Sequence, residues 1–176
     1  MQQKSHFRYS HQNGIAAIEL PYQGDDLSMI VLLPDAGIGA LESSLTADGV
    51  AAIEKAMSSQ EVIVSLPRFK FTARYGLSPE LTGMGIRDAF SESAADFSRM
   101  TGHKNLYISA VIHQAFIDVN EKGSEAAAAT AVIMNAKSMP LDMPEVFRAD
   151  RPFLFLIVHK AFGSILFLGR VANPNV

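Results

Sequence analysis

The stretch from Asn120 to Val132 constrains this 176-residue chain more than any other part of it. After the mixed charges of Glu121, Lys122 and Glu125 come Ala126, Ala127, Ala128 and Ala129, and no charged side chain follows until Lys137. Propensity alone favours a helix here, because alanine is the best helix former and a poor strand former. A surface helix over these residues would nevertheless lack a polar face. Downstream, Pro140 and Pro144 bracket Leu141, Asp142 and Met143. Proline fixes φ and withholds a backbone donor, so that run reads as extended and unpaired, with helix excluded.

A second segment, Phe147 to Ile157, carries Asp150-Arg151-Pro152-Phe153 followed by an apolar run. The first stretch resembles the proximal hinge of the reactive loop of inhibitory serpins, and the second resembles that family's C-terminal signature at the expected distance. Ile18 to Pro34, Ile86 to Phe90 with Ala95 to Ser98, and Gly163 to Pro174 are similar to the family as well. The resemblance resolves the alanine run as a mobile loop spanning about residues 121–144. It implies an α+β fold made mostly of β-strands, with parts of the large insertion sheet and of smaller sheets and a few short helices. It covers the whole chain but corresponds to the C-terminal portion of a single serpin domain, so a partial fold from a longer protein is expected.

What the resemblance implies about mechanism is suicide inhibition. A target protease attacks the loop, forms an acyl-enzyme, and is disabled when the cut loop inserts as a new strand in a sheet. A strand sliding between neighbours needs short side chains, which Gly123, Ser124, Ala126, Ala127, Ala128 and Ala129 supply, with Glu125 and Thr130 completing the hinge. Gly123 is the pivot, since glycine leaves φ and ψ free. Family spacing puts the reactive bond fourteen residues after Gly123, between Lys137 and Ser138. A lysine there suits trypsin-like serine proteases, whose deep pocket ends in an acid that pairs with a long cationic side chain. A slipped register would instead present Met134 or Met139 to chymotrypsin-like or elastase-like pockets. The family also pairs an acid before the hinge with a base on an adjacent strand, here Glu121 with Arg68, where arginine replaces the usual lysine. His113 matches a histidine that hydrogen-bonds beneath the opening sheet in relatives.

Composition narrows the alternatives. A net charge of −3 and a pI near 5.9 argue against a nucleic-acid or membrane-surface partner, which needs clustered positive charge. The one basic cluster, Arg68, Lys70 and Arg74, reads as a solvated strand face, with a sulfated polysaccharide as a secondary candidate ligand by family resemblance. The absence of cysteine rules out disulfides and any thiol nucleophile. The residues after Met1 are polar and show neither a signal peptide nor a transmembrane run. An extracellular location is implied by the family, with the cytoplasm as the alternative, and no cofactor or metal is expected. A hydrolase triad of Ser124, His113 and Asp118 is the enzyme alternative, unsupported by any nucleophile elbow. A non-inhibitory serpin acting as carrier, chaperone or storage protein is the stronger rival, and an inactive fragment the third.

Element by element, Ile15 to Leu20 and Ser28 to Leu33 read as a hairpin, and Ile38 to Leu45 and Asp48 to Met57 as helices, the second capped by Thr46. Val62 to Tyr75 reads as one long strand interrupted at Pro67, and Ser78 as the cap of a short helix running to Met84. Leu106 to Val119 reads as a strand buried on both faces, and Phe153 to His159 with Ser164 to Val171 as a final hairpin.

Overall fold

The computed structural model describes residues 1–120 and 143–174. In chain order its elements are β1 (Gln2–Gln12), β2 (Ile15–Pro21), β3 (Leu27–Pro34), α1 (Ile38–Ser44), α2 (Ala47–Ala56), β4 (Ser58–Ser65), β5 (Phe69–Gly76), α3 (Ser78–Gly83), a 3-10 turn (Asp88–Phe90), α4 (Ser98–Thr101), β6 (Ile112–Val119), β7 (Glu145–Arg148), β8 (Phe153–His159) and β9 (Ser164–Val171). The α+β, mostly-strand expectation holds. Two compact units result, one from Met1–Phe69 with Val119–Val176 and the other from Lys70–Asp118.

The larger unit is built on a seven-stranded sheet in the order β7-β4-β1-β2-β3-β8-β9. Its centre is the antiparallel pair β3 and β8, in which Ile30 faces Leu156 and Leu32 faces Leu154. Both strands are buried on both faces, which explains why they read as continuous apolar runs and not as an alternation. One face, through Ala17, Ile30, Leu32, Leu154, Leu156 and Val158, packs under α1 and α2 by way of Leu41, Val50 and Met57. On the β8 side, Phe69 stacks against Phe153 and Phe155 at centroid distances of 5.9 and 5.4 Å. Thr46 caps α2 as the sequence predicts, its hydroxyl accepting from the Gly49 N–H at 3.0 Å.

Burial of Glu19 in this sheet is compensated locally. Its carboxylate accepts from Arg8 Nη1 at 2.5 Å and from Ser28 Oγ at 2.7 Å. Arg8 also donates to the Glu54 carbonyl in the last turn of α2, tying sheet to helix. A buried carboxylate without such donors would be strongly destabilising.

Four expectations need correction. The span Val62 to Tyr75 is two strands, because the break around Pro67 hands the chain from the large sheet to a separate two-stranded ribbon, β5 with β6. Proline cannot donate to a ladder, so it suits a crossing between sheets. Ser78 does not cap α3; its hydroxyl instead accepts from the Val111 N–H at 3.0 Å, and Pro79 occupies the first turn where a missing donor costs nothing. Leu106 to Val119 is regular only from Ile112, and it is not buried on both faces: Ile112 is 58% exposed and Phe116 is 55% exposed. A ribbon of two strands has too little of its own sheet to cover either face. Two strands, β1 and β7, lie where the sequence announces no strand.

Between β8 and β9, Gly169 lies directly opposite Phe155. A Cβ at residue 169 would stand 2.3 Å from the Phe155 ring, which is itself 2% exposed and has nowhere to move. Gly169→Ala is therefore expected to destabilise the protein by about 1–3 kcal/mol. Urea unfolding checks it: an unchanged midpoint would show that the ring is not locked as described.

Candidate functional site

The hinge and bait residues Glu121, Gly123, Ser124, Glu125, Ala126, Ala127, Ala128, Ala129, Thr130, Lys137 and Ser138 lie outside the described residues. What is described is the pair of strands that flank them, each in a different sheet. β6 ends at Val119 on the proximal side, and β7 begins at Glu145 on the distal side.

The distal flank is built from three kinds of contact. β7 runs parallel to β4 over Val62↔Glu145 to Ser65↔Arg148, and the Ala149 N–H continues the ladder to the Ser65 carbonyl at 2.9 Å. Phe147 is 1% exposed and meets the Tyr9 ring edge-on, with centroids 6.3 Å apart. Beyond β7, Arg151 Nη2 donates to Asp35 Oδ1 at 2.8 Å, while His11 Nε2 donates to Asp35 Oδ2 at 2.8 Å. A carboxylate can only accept, which assigns the proton of that contact to the imidazole. Arg151 Nε also reaches the Pro34 carbonyl at 2.9 Å. The hydrogen bond from His11 holds the Asp35 carboxyl below the ordinary aspartate value of 3.8; desolvation opposes it, and the charges of His11 and Arg151 reinforce it. Burial pushes the Tyr9 phenol up, helped by the negative charges of Glu145 and Asp35. The phenol therefore stays protonated at neutral pH.

On the proximal flank, Lys70 Nζ pairs with Asp118 at 3.3 Å and lies 5.5 Å above the Phe116 ring, so residues 70, 116 and 118 share one face of the ribbon. His113 is exposed and lies an odd number of residues from Asp118, hence on the opposite face. The two cannot serve one triad, which removes the geometric basis of the hydrolase alternative. Among the described residues no group of His, Cys, Asp and Glu is placed to hold a metal. Arg68, the expected partner of Glu121, is exposed and sits in the three-residue crossing Leu66 to Arg68, just before β5 and not within it. Arg68, Lys70 and Arg74 are all exposed, yet only the last two belong to the strand.

A family profile described as Serpin (serine protease inhibitor) matches residues 1–174. The chain belongs to the serpin family. Among curated serpins, the leukocyte elastase inhibitor of Homo sapiens is 44% identical over 184 residues, covering 99% of this chain and 48% of that protein. An uncharacterized serpin-like protein of Thermococcus kodakarensis is 42% identical over 177 residues, covering 99% of this chain and 41% of that protein. The crystal structure of uncleaved ovalbumin superimposes with a TM-score of 0.81 at 33% identity, over 99% of this chain and 44% of that one. The serpin-like fold anticipated from the motifs is therefore present, and the chain spans about half the length of the curated relatives it matches.

Sequence reading of this serpin chain singled out Arg151 within the C-terminal signature but not its partners. Asp35 and His11 are separated from it by 116 and 140 positions, and no periodicity links them. Because the Asp35 carboxyl is depressed, the stability it contributes is present above the ordinary carboxylate range and is lost as pH falls through its folded value. A carbon-detected NMR titration of Asp35 should show its midpoint rising more in His11→Ala than in Arg151→Ala. The reverse order would contradict the leading role given to His11.

Proposed function

We propose that the protein carrying this chain is an inhibitor of serine proteases that works by suicide-substrate trapping, with Lys137-Ser138 as the cleaved bond and trypsin-like enzymes as targets. The observation that carries this reading is the combination of flanks and content. A segment whose leading residues are almost all small, Gly123 to Ala129, is strung between two strands of different sheets. Among the described residues β6 takes β5 as its strand partner. The hinge itself holds no proline and no bulky side chain, the features that would obstruct insertion, and this disfavours a carrier or storage role. In this mechanism the inhibitor supplies no catalytic group; the protease's own serine does the chemistry on the Lys137 carbonyl. Arg68 and Glu121 would meet where the inserting strand begins. An exposed pair of this kind is worth under ~1 kcal/mol and matters only if insertion buries it. An extracellular location goes with the reading by family resemblance, with the cytoplasm as the alternative.

One observation favours a second target class. The human relative at 44% identity is named for elastase inhibition, and Met134 or Met139 would serve such a protease if the register slipped. Incubating the whole protein with trypsin and, separately, with an elastase, followed by denaturing electrophoresis, separates the readings. A denaturant-resistant covalent band with trypsin is expected, and Ala128→Arg, which must bury a charge on insertion, should yield cleaved inhibitor without that band. A band with elastase alone moves the bait to a methionine. Cleaved product without a covalent band from either enzyme would overturn inhibition.

A further inference from the structure

β7 is held to its sheet by a short ladder to β4 and by one buried side chain, Phe147. It is four residues long and, among the described residues, stands at the edge and pairs on one side only, in the parallel arrangement that is the weaker per residue. Next to it, an open cavity of about 150 Å³ is lined by Tyr9, His11, Asp35, Phe147, Arg148 and Arg151. Phe147 is the one buried side chain of β7, and the other three residues of the strand are exposed. The chain that follows β7 is tied down as well, and the tie converges on one carboxylate. Asp35 accepts from His11 of β1 and from Arg151, while its own backbone N–H donates to the Gly14 carbonyl in the β1–β2 turn at 2.8 Å. Arg151 adds its bond to the Pro34 carbonyl at the end of β3. The remaining charged groups around the cluster, Arg148 and Asp150, pair with each other at 3.5 Å, and Asp150 also approaches Arg151 at 3.8 Å. Asp35 is thus the point where β1, the β1–β2 turn, β3 and the segment leaving β7 meet.

We propose that Asp35 is a positioning residue for the distal end of segment 121–142: by gripping Arg151 while itself held by His11, it keeps β7 seated on β4 and so fixes where that segment ends. The inference depends on the inhibitor reading only for the name of the segment. Seating of β7 is a property of the described residues themselves.

Amide hydrogen exchange followed residue by residue on the full chain tests this without any protease. Asp35→Asn, which keeps the shape and removes the charge, should speed exchange at Val146 to Arg148 roughly fivefold while leaving Ile30 and Leu156 unchanged. Asp35→Glu keeps the charge and should restore most of the protection. Unchanged exchange at β7, or an equal rise at β7 and at the core amides, would overturn the proposal, the second because it marks a general loss of stability. Should Asp35→Asn fail to fold, His11→Ala carries the same test with a smaller factor, roughly twofold; equal rates in β7 and no difference from wild type would again overturn it. A failure of the whole protein to trap proteases leaves this result untouched, so the two readings stand or fall separately.

Discussion

The antiparallel pairing of β3 with β8 is the constraint on which the larger unit depends. It joins residues 27–32 to residues 154–159 across most of the chain, and both strands bury both faces. A slip of one residue would carry every side chain to the opposite face, exchanging the set under the helices for the set against Phe69. Few registers in the molecule are so tightly specified. Just before β8, Arg151 meets Asp35, Phe147 packs against Tyr9, and β7 pairs with β4. The residues just after it turn back through Gly163, at φ of 61°, and lay β9 along the other edge, where Gly169 makes way for the Phe155 ring.

Those buried strands are the parts most legible in the sequence. β3, β8 and β9 announce themselves as apolar runs, and α1 and α2 as three-to-four periodicity with a threonine cap. β1 does not: of its eleven residues only Phe7 and Tyr9 are large and apolar, so its strand character comes from pairing with β2 on one side and β4 on the other. A local signal was present all the same. Asn13-Gly14, with φ of 53° and 74°, is the two-residue hairpin turn that fixes β1 against β2. β7 had no such signal, since four residues after a proline acquire strand geometry only from a partner some 83 positions away.

The candidate site divides in the same way. Its proposed chemistry, a run of small side chains ending in one lysine, is written in contiguous residues that lie outside the described ones. Its mounting could not be, because the carboxylate of Asp35, the imidazole of His11 and the guanidinium of Arg151 come together only through the sheet register. His113 shows the opposite failure. Its apolar neighbours predict a covered strand, whereas β6 is half of a two-stranded ribbon and leaves it exposed. Apolar composition reports what a strand is suited to lie against, and the ribbon shows how much of that surface its own two strands leave uncovered.

The proposed trapping mechanism requires that the segment between β6 and β7 be worth more as sheet than as loop. About ten new ladder bonds at ~1 kcal/mol each would raise the unfolding midpoint by roughly 20 °C. The direct measurement is the melting temperature of the whole protein before and after a single cut at Lys137-Ser138. A rise of that order is the result the account predicts, and an unchanged or lower midpoint would contradict it.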